Sequence, residues 1–587
     1  MQEHDSLNNV LYIDLSKKSF RIENRRDLFE KYIGGTGVAT QLLHENCKEG
    51  TDPYDPSSPV ILAVGPLTGV LPLASKTVAM YKSPLTGDLG ESHAGGRSAV
   101  AIRMAGYGAV VITGKCDFPV YLSIQHNKVF FRDATTLWGM RSCFTAARVM
   151  REREKFPGLR AIMRIGQAGE RMVAYASVTT ETYRHFGRLG LGAVFGSKML
   201  KGIVISGKRS IPVTDRKAFR NLYDEVYKAA VDSPVMKKYH DLGTAENIGK
   251  LNAINGLPTM NLKQSSIEGI DNITGETIAQ HFLGRRFSCA HCPVSCIHVA
   301  TLREPYEDDP YFYKTTFVGY DYELIYSLGT MLGITDVNKL LVLIDKVEEL
   351  SIDAMSTGVV MAWATEMQEK GMIGEKETDG IVLKWGDHLA YSEFLKKIIR
   401  QPNEFYEAVA RGVDHASSVF GGREFSMAFG KNEMPGYHTG PAAYIGYLIG
   451  ARHSHLDNAG YSLDINELIN APLDAKTIID KLIEEESLRQ VLSSIAICFF
   501  ARGIYKIDLV SRALAFMGYP YQKEELMEIG RKIHAEKFRF KVREGFSYRN
   551  QNIPERIYET KDPTGLIRKE LIHEALEYFG KRMGVEV

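Results

Sequence analysis

At 587 residues the chain exceeds what one hydrophobic core can serve, so two to four domains are predicted. Hydrophobic residues make up 44% and charged residues 24%, the proportions of an ordinary soluble globular protein. Lys+Arg 72 against Asp+Glu 71 leaves no net field to recruit nucleic acid or an anionic membrane.

The chain opens Met1-Gln2-Glu3-His4-Asp5, with neither the basic start nor the apolar core of a signal peptide. Strand signals follow. Leu11, Ile13 and Leu15 alternate with polar neighbours, Ser16 to Ser19 makes a turn, and Phe20 and Ile22 resume the alternation. Further strands are predicted at Val60–Val64, Thr77–Tyr81, Ala109–Thr113 and Val120–Ile124, the last pairing with Val129–Phe131 as a hairpin. A lone helix is predicted at Cys143–Glu154, so residues 1–208 read as a β-rich layered domain. From Thr214 or Asp215, either of which can cap a helix, the pattern turns helical. Residues 254–275 read as a long connection. Asp336–Leu350, Asp474–Leu492, Lys523–Glu536 and Leu566–Tyr578 read as helices, giving helical domains at 209–417 and 418–587. The fold class is therefore α+β. The most apolar stretch, Val491 to Ala501, is about half of what a bilayer span needs. A cytoplasmic location is expected.

The chemistry concentrates in Phe287-Ser288-Cys289-Ala290-His291-Cys292-Pro293-Val294-Ser295-Cys296. Three thiols at this spacing can curl round one inorganic centre, and soft thiolates select zinc or iron–sulfur. A fourth ligand must come from elsewhere: His291 or His298 for tetrahedral zinc, or the distant Cys498 for a [4Fe–4S] cluster. Pro293 and the three-residue gap favour the cluster. Gly187-Arg188-Leu189-Gly190-Leu191-Gly192 and its continuation to Lys198 suit close approach of backbone to an anion, or simply a tight turn. Ser92-His93-Ala94-Gly95-Gly96-Arg97 is open to the same two readings. Glu323, among aromatics, suits a general acid or base, or an ordinary salt bridge. His453 and His455 share a face only on extended backbone, and structural histidines are the commoner case. Glu570 and His573 read as a surface pair.

Together these stretches resemble the tungsten-dependent aldehyde:ferredoxin oxidoreductase family over nearly the whole length. The resemblance is carried by Lys82-Ser83-Pro84-Leu85-Thr86-Gly87 with Ala94-Gly95-Gly96, by Ala105-Gly106-Tyr107-Gly108, and by the glycine stretch 187–198. The cysteine loop, Leu350-Ser351-Ile352-Asp353, Glu433-Met434-Pro435 and Cys498 complete it. It implies a β-rich base for a tungsten bis-pyranopterin, two helical domains closing over it, and a [4Fe–4S] cluster on Cys289, Cys292, Cys296 and Cys498. It implies a Mg²⁺ bridging the pterin phosphates through backbone carbonyls at His93 and Leu189. Lys76 stands where the family usually has arginine, keeping the charge without the bidentate fork. Gly95, Gly96, Arg188, Gly190 and Gly192 fall in the cofactor-binding stretches. So do Glu348 and Asp353 in one altered pterin motif, and Ser493 and Ile497 in the other, where the leading acid is lost. The family's catalytic glutamate matches Glu323, and its histidine matches His455 first and His453 second. The implied reaction is aldehyde plus water to carboxylate, with electrons leaving to ferredoxin or an iron–sulfur subunit. The middle domain has no carboxylate-x-x-His stretch, so an iron-bridged dimer is not expected. Two alternatives stand: a reductive member acting on an aromatic thioester, and a zinc-stabilised binding protein.

Overall fold

The structure is a computed structural model that describes residues 5–585, except 182, 214, 307 and 308, with backbone only for 309–311. Two six-stranded sheets form the first part of the chain. In the first, the strand order is Ser19–Asn24, Asn9–Asp14, Ala109–Thr113, Val60–Ala63, Thr77–Lys82, Leu89–Ala94. In the second, it is His185–Phe186, Val178–Thr180, Leu159–Arg164, Leu200–Gly207, Val120–Gln125, Lys128–Asp133. Central strands such as Val60–Ala63 and Leu200–Gly207 are buried along their whole length, because both faces are covered. Leu89–Ala94 and His185–Phe186 are the end strands of the two sheets and lie against each other. The site opens at that junction.

Most predicted strands stand within a residue or two of their expected bounds. The predicted helix also stands, as Cys143–Arg153, but it is not alone. Besides Cys143–Arg153, helices run over Arg26–Tyr32, Gly35–Asn46, Ser98–Ala105 and Leu191–Ser197. Gly35–Asn46 and Leu191–Ser197 are glycine-bearing and largely buried, and Arg26–Tyr32 has only two turns, too short to show a periodicity.

Later helices start as their caps dictate. Asp215, Asp336 and Asp474 each accept a hydrogen bond from backbone N–H groups of the first turn. Thr214, the other candidate cap, lies outside the described residues. The middle region also holds a three-stranded antiparallel sheet, Leu283–Phe287, Ile297–Tyr306 and Asp309–Tyr320, where helix was expected. The cysteine loop joins its first two strands. The apolar stretch Val491 to Ala501 is not one helix either. Helix Ala475–Ser494 ends, Ala496 turns with φ +60°, and a short helical turn resumes at Phe499. Among the described residues no single helix is long and apolar enough to cross a membrane.

Candidate active site

The cysteine loop is pinned at both ends. The hydroxyls of Ser288 and Ser295 are 2.6 Å apart across its neck, and His291 and Ser295 turn with positive φ. The loop docks on the first sheet's edge: the N–H of Ala290 donates to the carbonyl of Gly96 at 2.9 Å, and the N–H of Gly96 donates to Sγ of Cys289 at 3.1 Å. Gly95 is required by space, since a Cβ there would lie 2.8 Å from the same sulfur. Leu73 supplies the remaining link. Its N–H donates to the carbonyl of His291 at 2.9 Å, and its carbonyl accepts the N–H of Cys498 at 2.9 Å. Cys289, Cys292, Cys296 and Cys498 therefore line one cavity of about 320 Å³.

Among the described residues no group of three or more His, Cys, Asp or Glu side chains converges on a point that one metal ion could fill. A four-iron cluster has a thiolate at each corner and needs wider spacing. Burial, and then the neighbouring thiols, push the Cys292 thiol up, and burial also raises Cys296. Such a pocket holds thiolates only with a cationic centre among them. Four cysteines on the wall of one cavity fit that centre.

The rest of the wall suits a large anionic cofactor. Lys76, Arg184, Arg188 and Arg452 all line the cavity. Arg188 places Nε 3.2 Å from Asp353, donates from Nη2 to the carbonyl of Glu433, and leaves Nη1 buried without a partner. Asp353 caps the helix Ala354–Glu369 and accepts the Ser356 hydroxyl at 2.6 Å. Glu348 accepts from His185 at 2.8 Å. The Leu189 carbonyl takes the Ser83 hydroxyl at 2.9 Å and retains a lone pair for a cation. His93 contacts Glu91 at 2.7 Å, and burial pushes its imidazole down to about 4. Lys76, His93, Gly95, Arg188, Leu189, Glu348, Asp353 and Ile497 all face the cavity. Gly96, Gly190, Gly192 and Ser493 do not. Gly190 (φ +83°) and Gly192 serve close packing instead, since Cβ atoms there would meet the carbonyls of Ala174 and Ser177.

Glu323 sits in the first turn of helix Tyr322–Leu328, which follows directly on the third strand of the small sheet. Oε1 of Glu323 is 3.4 Å from Nε2 of His455. Burial pushes the Glu323 carboxyl up, but the hydrogen bond and charge of His455 outweigh that, and the net direction is down. Burial also lowers His455, whose Nδ1 is buried without a partner. Tyr437 packs on the imidazole at 5.1 Å between ring centroids. Asp321, by contrast, is pushed up to about 6 by burial and by the charge of Glu323. His453, the second candidate histidine, does not reach the cavity. Its ring lies between the Tyr447 carbonyl, at 2.8 Å, and the Lys541 ammonium, at 2.6 Å, and is fully engaged there.

Residues 10–207 match the family described as aldehyde ferredoxin oxidoreductase, N-terminal domain, and residues 221–586 match its domains 2 and 3. The chain belongs to the aldehyde ferredoxin oxidoreductase family. It is 30% identical over 574 residues to a tungsten-containing aldehyde ferredoxin oxidoreductase of Pyrococcus furiosus, covering 94% of this chain and 91% of that protein. It is 29% identical over 412 residues to an aliphatic sulfonate oxidoreductase, WOR-like subunit, of the same organism, covering 67% and 64%. The BamBC active-site complex of benzoyl coenzyme A reductase superposes with a TM-score of 0.83 at 20% identity, over 99% of this chain and 94% of that one, a likeness of fold. Within this aldehyde ferredoxin oxidoreductase family member, sequence reasoning missed Glu91, Arg184, Asp321 and Arg452 as parts of the cavity wall. Each stands within three residues of another wall residue, His93, His185, Glu323 or His455, but no motif marks it as part of the site.

Proposed function

We propose that this family member oxidises aldehydes to carboxylic acids, RCHO and H2O giving RCOOH, two protons and two electrons. The observation that carries the reading is the Glu323–His455 pair opening on the cavity that also receives four cysteines. Similarity to tungsten-containing relatives supports a tungsten bis-pyranopterin held by Lys76, Arg188, Glu348, Asp353 and Ile497, with Mg²⁺ on the carbonyls of His93 and Leu189. When bound, that cofactor and a [4Fe–4S] cluster on Cys289, Cys292, Cys296 and Cys498 supply the two-electron chemistry and its exit in single electrons. Residues 1–208 form the base, and 209–417 and 418–587 close over it.

Glu323, ionised at neutral pH, takes a proton from water or from the hydrated aldehyde. His455, kept neutral by burial, steadies that carboxylate through Nε2; once protonated, it offers Nδ1–H to the substrate oxygen. The aromatic surround of Tyr322 and Tyr437 keeps bulk water from the pair. Electrons pass to ferredoxin or an iron–sulfur subunit.

The test is metal analysis with aldehyde-dependent viologen reduction. Tungsten and four irons per chain with turnover are expected; zinc alone would end the reading. Glu323→Gln should keep its metals and lose about 10²–10⁴-fold in turnover. The fold shared with a benzoyl coenzyme A reductase complex favours one second reading, reduction of an aromatic thioester. A dedicated ring reductase would show no aldehyde-linked viologen reduction.

A further inference from the structure

Arg184 stands between two groups with different duties. Its Nη2 lies 3.4 Å from the carbonyl oxygen of Cys296 and 3.9 Å from its Sγ, while Nη1 lies 3.5 Å from Oδ2 of Asp321. Asp321 is the N-cap of the helix that carries Glu323, accepting the Leu324 N–H at 3.3 Å. A continuous line of contacts thus runs from Cys296 through Arg184 and Asp321 to the helix bearing Glu323, and on to His455.

The position of Arg184 is built rather than incidental. It closes a tight hairpin in which the Thr180 N–H donates to the Arg184 carbonyl at 2.7 Å. Its neighbour Tyr183 turns with φ +53° and stacks on Phe287 at 5.9 Å, with Phe144 on its other side at 5.7 Å. Phe287 ends the strand that leads into the cysteine loop. The guanidinium is therefore held in register with the thiols.

We infer that Arg184 is a positioning residue joining the electron-accepting centre to the proton-accepting one: its fixed charge sets the reduction potential of the thiolate-bound cluster, and its other nitrogen holds Asp321 so that the helix start keeps Glu323 on the cavity. The inference rests on the cluster assigned under Proposed function. Reducing that cluster by one electron adds negative charge beside the guanidinium, and at this separation in a buried site the attraction is strong. Lysine at 184 would keep the charge but cannot reach both partners.

The experiment is an electron paramagnetic resonance potentiometric titration at pH 8 of the as-isolated holoenzyme and three variants, with iron counted in each. Arg184→Met should shift the cluster midpoint to more negative potential with iron retained, and Arg184→Lys should recover most of the shift. Asp321→Asn, which removes a negative charge from the other side of Arg184, should shift it the opposite way. Full iron with an unchanged midpoint in Arg184→Met overturns the inference. If that variant does not fold, an unchanged midpoint in iron-replete Asp321→Asn overturns it equally. A wild-type protein without iron overturns the cluster assignment, and the inference with it.

Discussion

In its proposed role Glu323 acts as a base only while ionised, so kcat/KM should fall as pH drops through its pKa. His455 holds that value below the ordinary carboxylate range against the opposing effect of burial. Replacing His455 by Gln removes the imidazole that steadies the carboxylate through Nε2, and burial then pushes the carboxyl up. The acid limb of the pH–rate profile should move to higher pH, read from initial rates between pH 4 and 9. At Gly95, alanine would set a methyl 2.8 Å from the Cys289 sulfur. Gly95→Ala should lose cluster iron and its visible absorbance while keeping the far-ultraviolet circular dichroism of the fold. The two histidines illustrate what residue identity could and could not convey. His453 and His455 look alike in sequence, and only the turn at His453 (φ +53°) and the presence of Lys541 decide which one meets Glu323. The cysteine triplet was readable because its three thiols are neighbours in the chain. Arg184 was not, because its partners Cys296 and Asp321 lie more than a hundred residues away.

Among the elements, the helix end at Ser493–Cys498 places the fourth cysteine, and its seat is the start of helix Gly35–Asn46. Gly35 has φ +38°, and a Cβ there would lie 2.1 Å from the Ser493 carbonyl. Gly35→Ala should therefore cost on the order of 2–4 kcal/mol, seen as a lowered Tm, and should displace Cys498 enough to reduce bound iron. This pairing across more than four hundred residues leaves no trace in local pattern. The strand Asn9–Asp14, whose apolar run ends at a turn, and helices with aspartate caps were legible where they stand. The small sheet around the cysteine loop was not, because Leu283–Phe287 is short and charged and the cysteine loop separates it from its partner strand.

At the scale of the whole molecule, the last third is locked into the first. Lys537 pairs with Glu91 at 2.5 Å with both side chains buried, Lys82 pairs with Glu544 at 2.5 Å, and the Tyr505 hydroxyl donates to the Pro72 carbonyl at 2.5 Å. Burial opposes ionisation of Glu91, yet Lys537 and its other cationic neighbours hold the carboxyl well below its ordinary value. Its contribution to stability is present above about pH 4.5 and is lost as pH falls through the lower folded value. Lys537→Met would leave that carboxylate buried without its ammonium partner, beside the Thr36 hydroxyl and His93, at a cost of about 3–5 kcal/mol. Calorimetry should show its Tm lowered and the two-sheet and helical regions still melting in one transition, since neither can release the other. The doubly bonded peptide at Leu73 carries a consequence for biogenesis. A single residue near the beginning of the chain clips both the early thiols and the late one, so a nascent chain still lacking residue 498 offers at most a three-cornered nest. For the cluster proposed above, iron is then installed after synthesis has nearly finished, and a polypeptide truncated before Cys498 should leave the ribosome colourless however much iron the cell supplies.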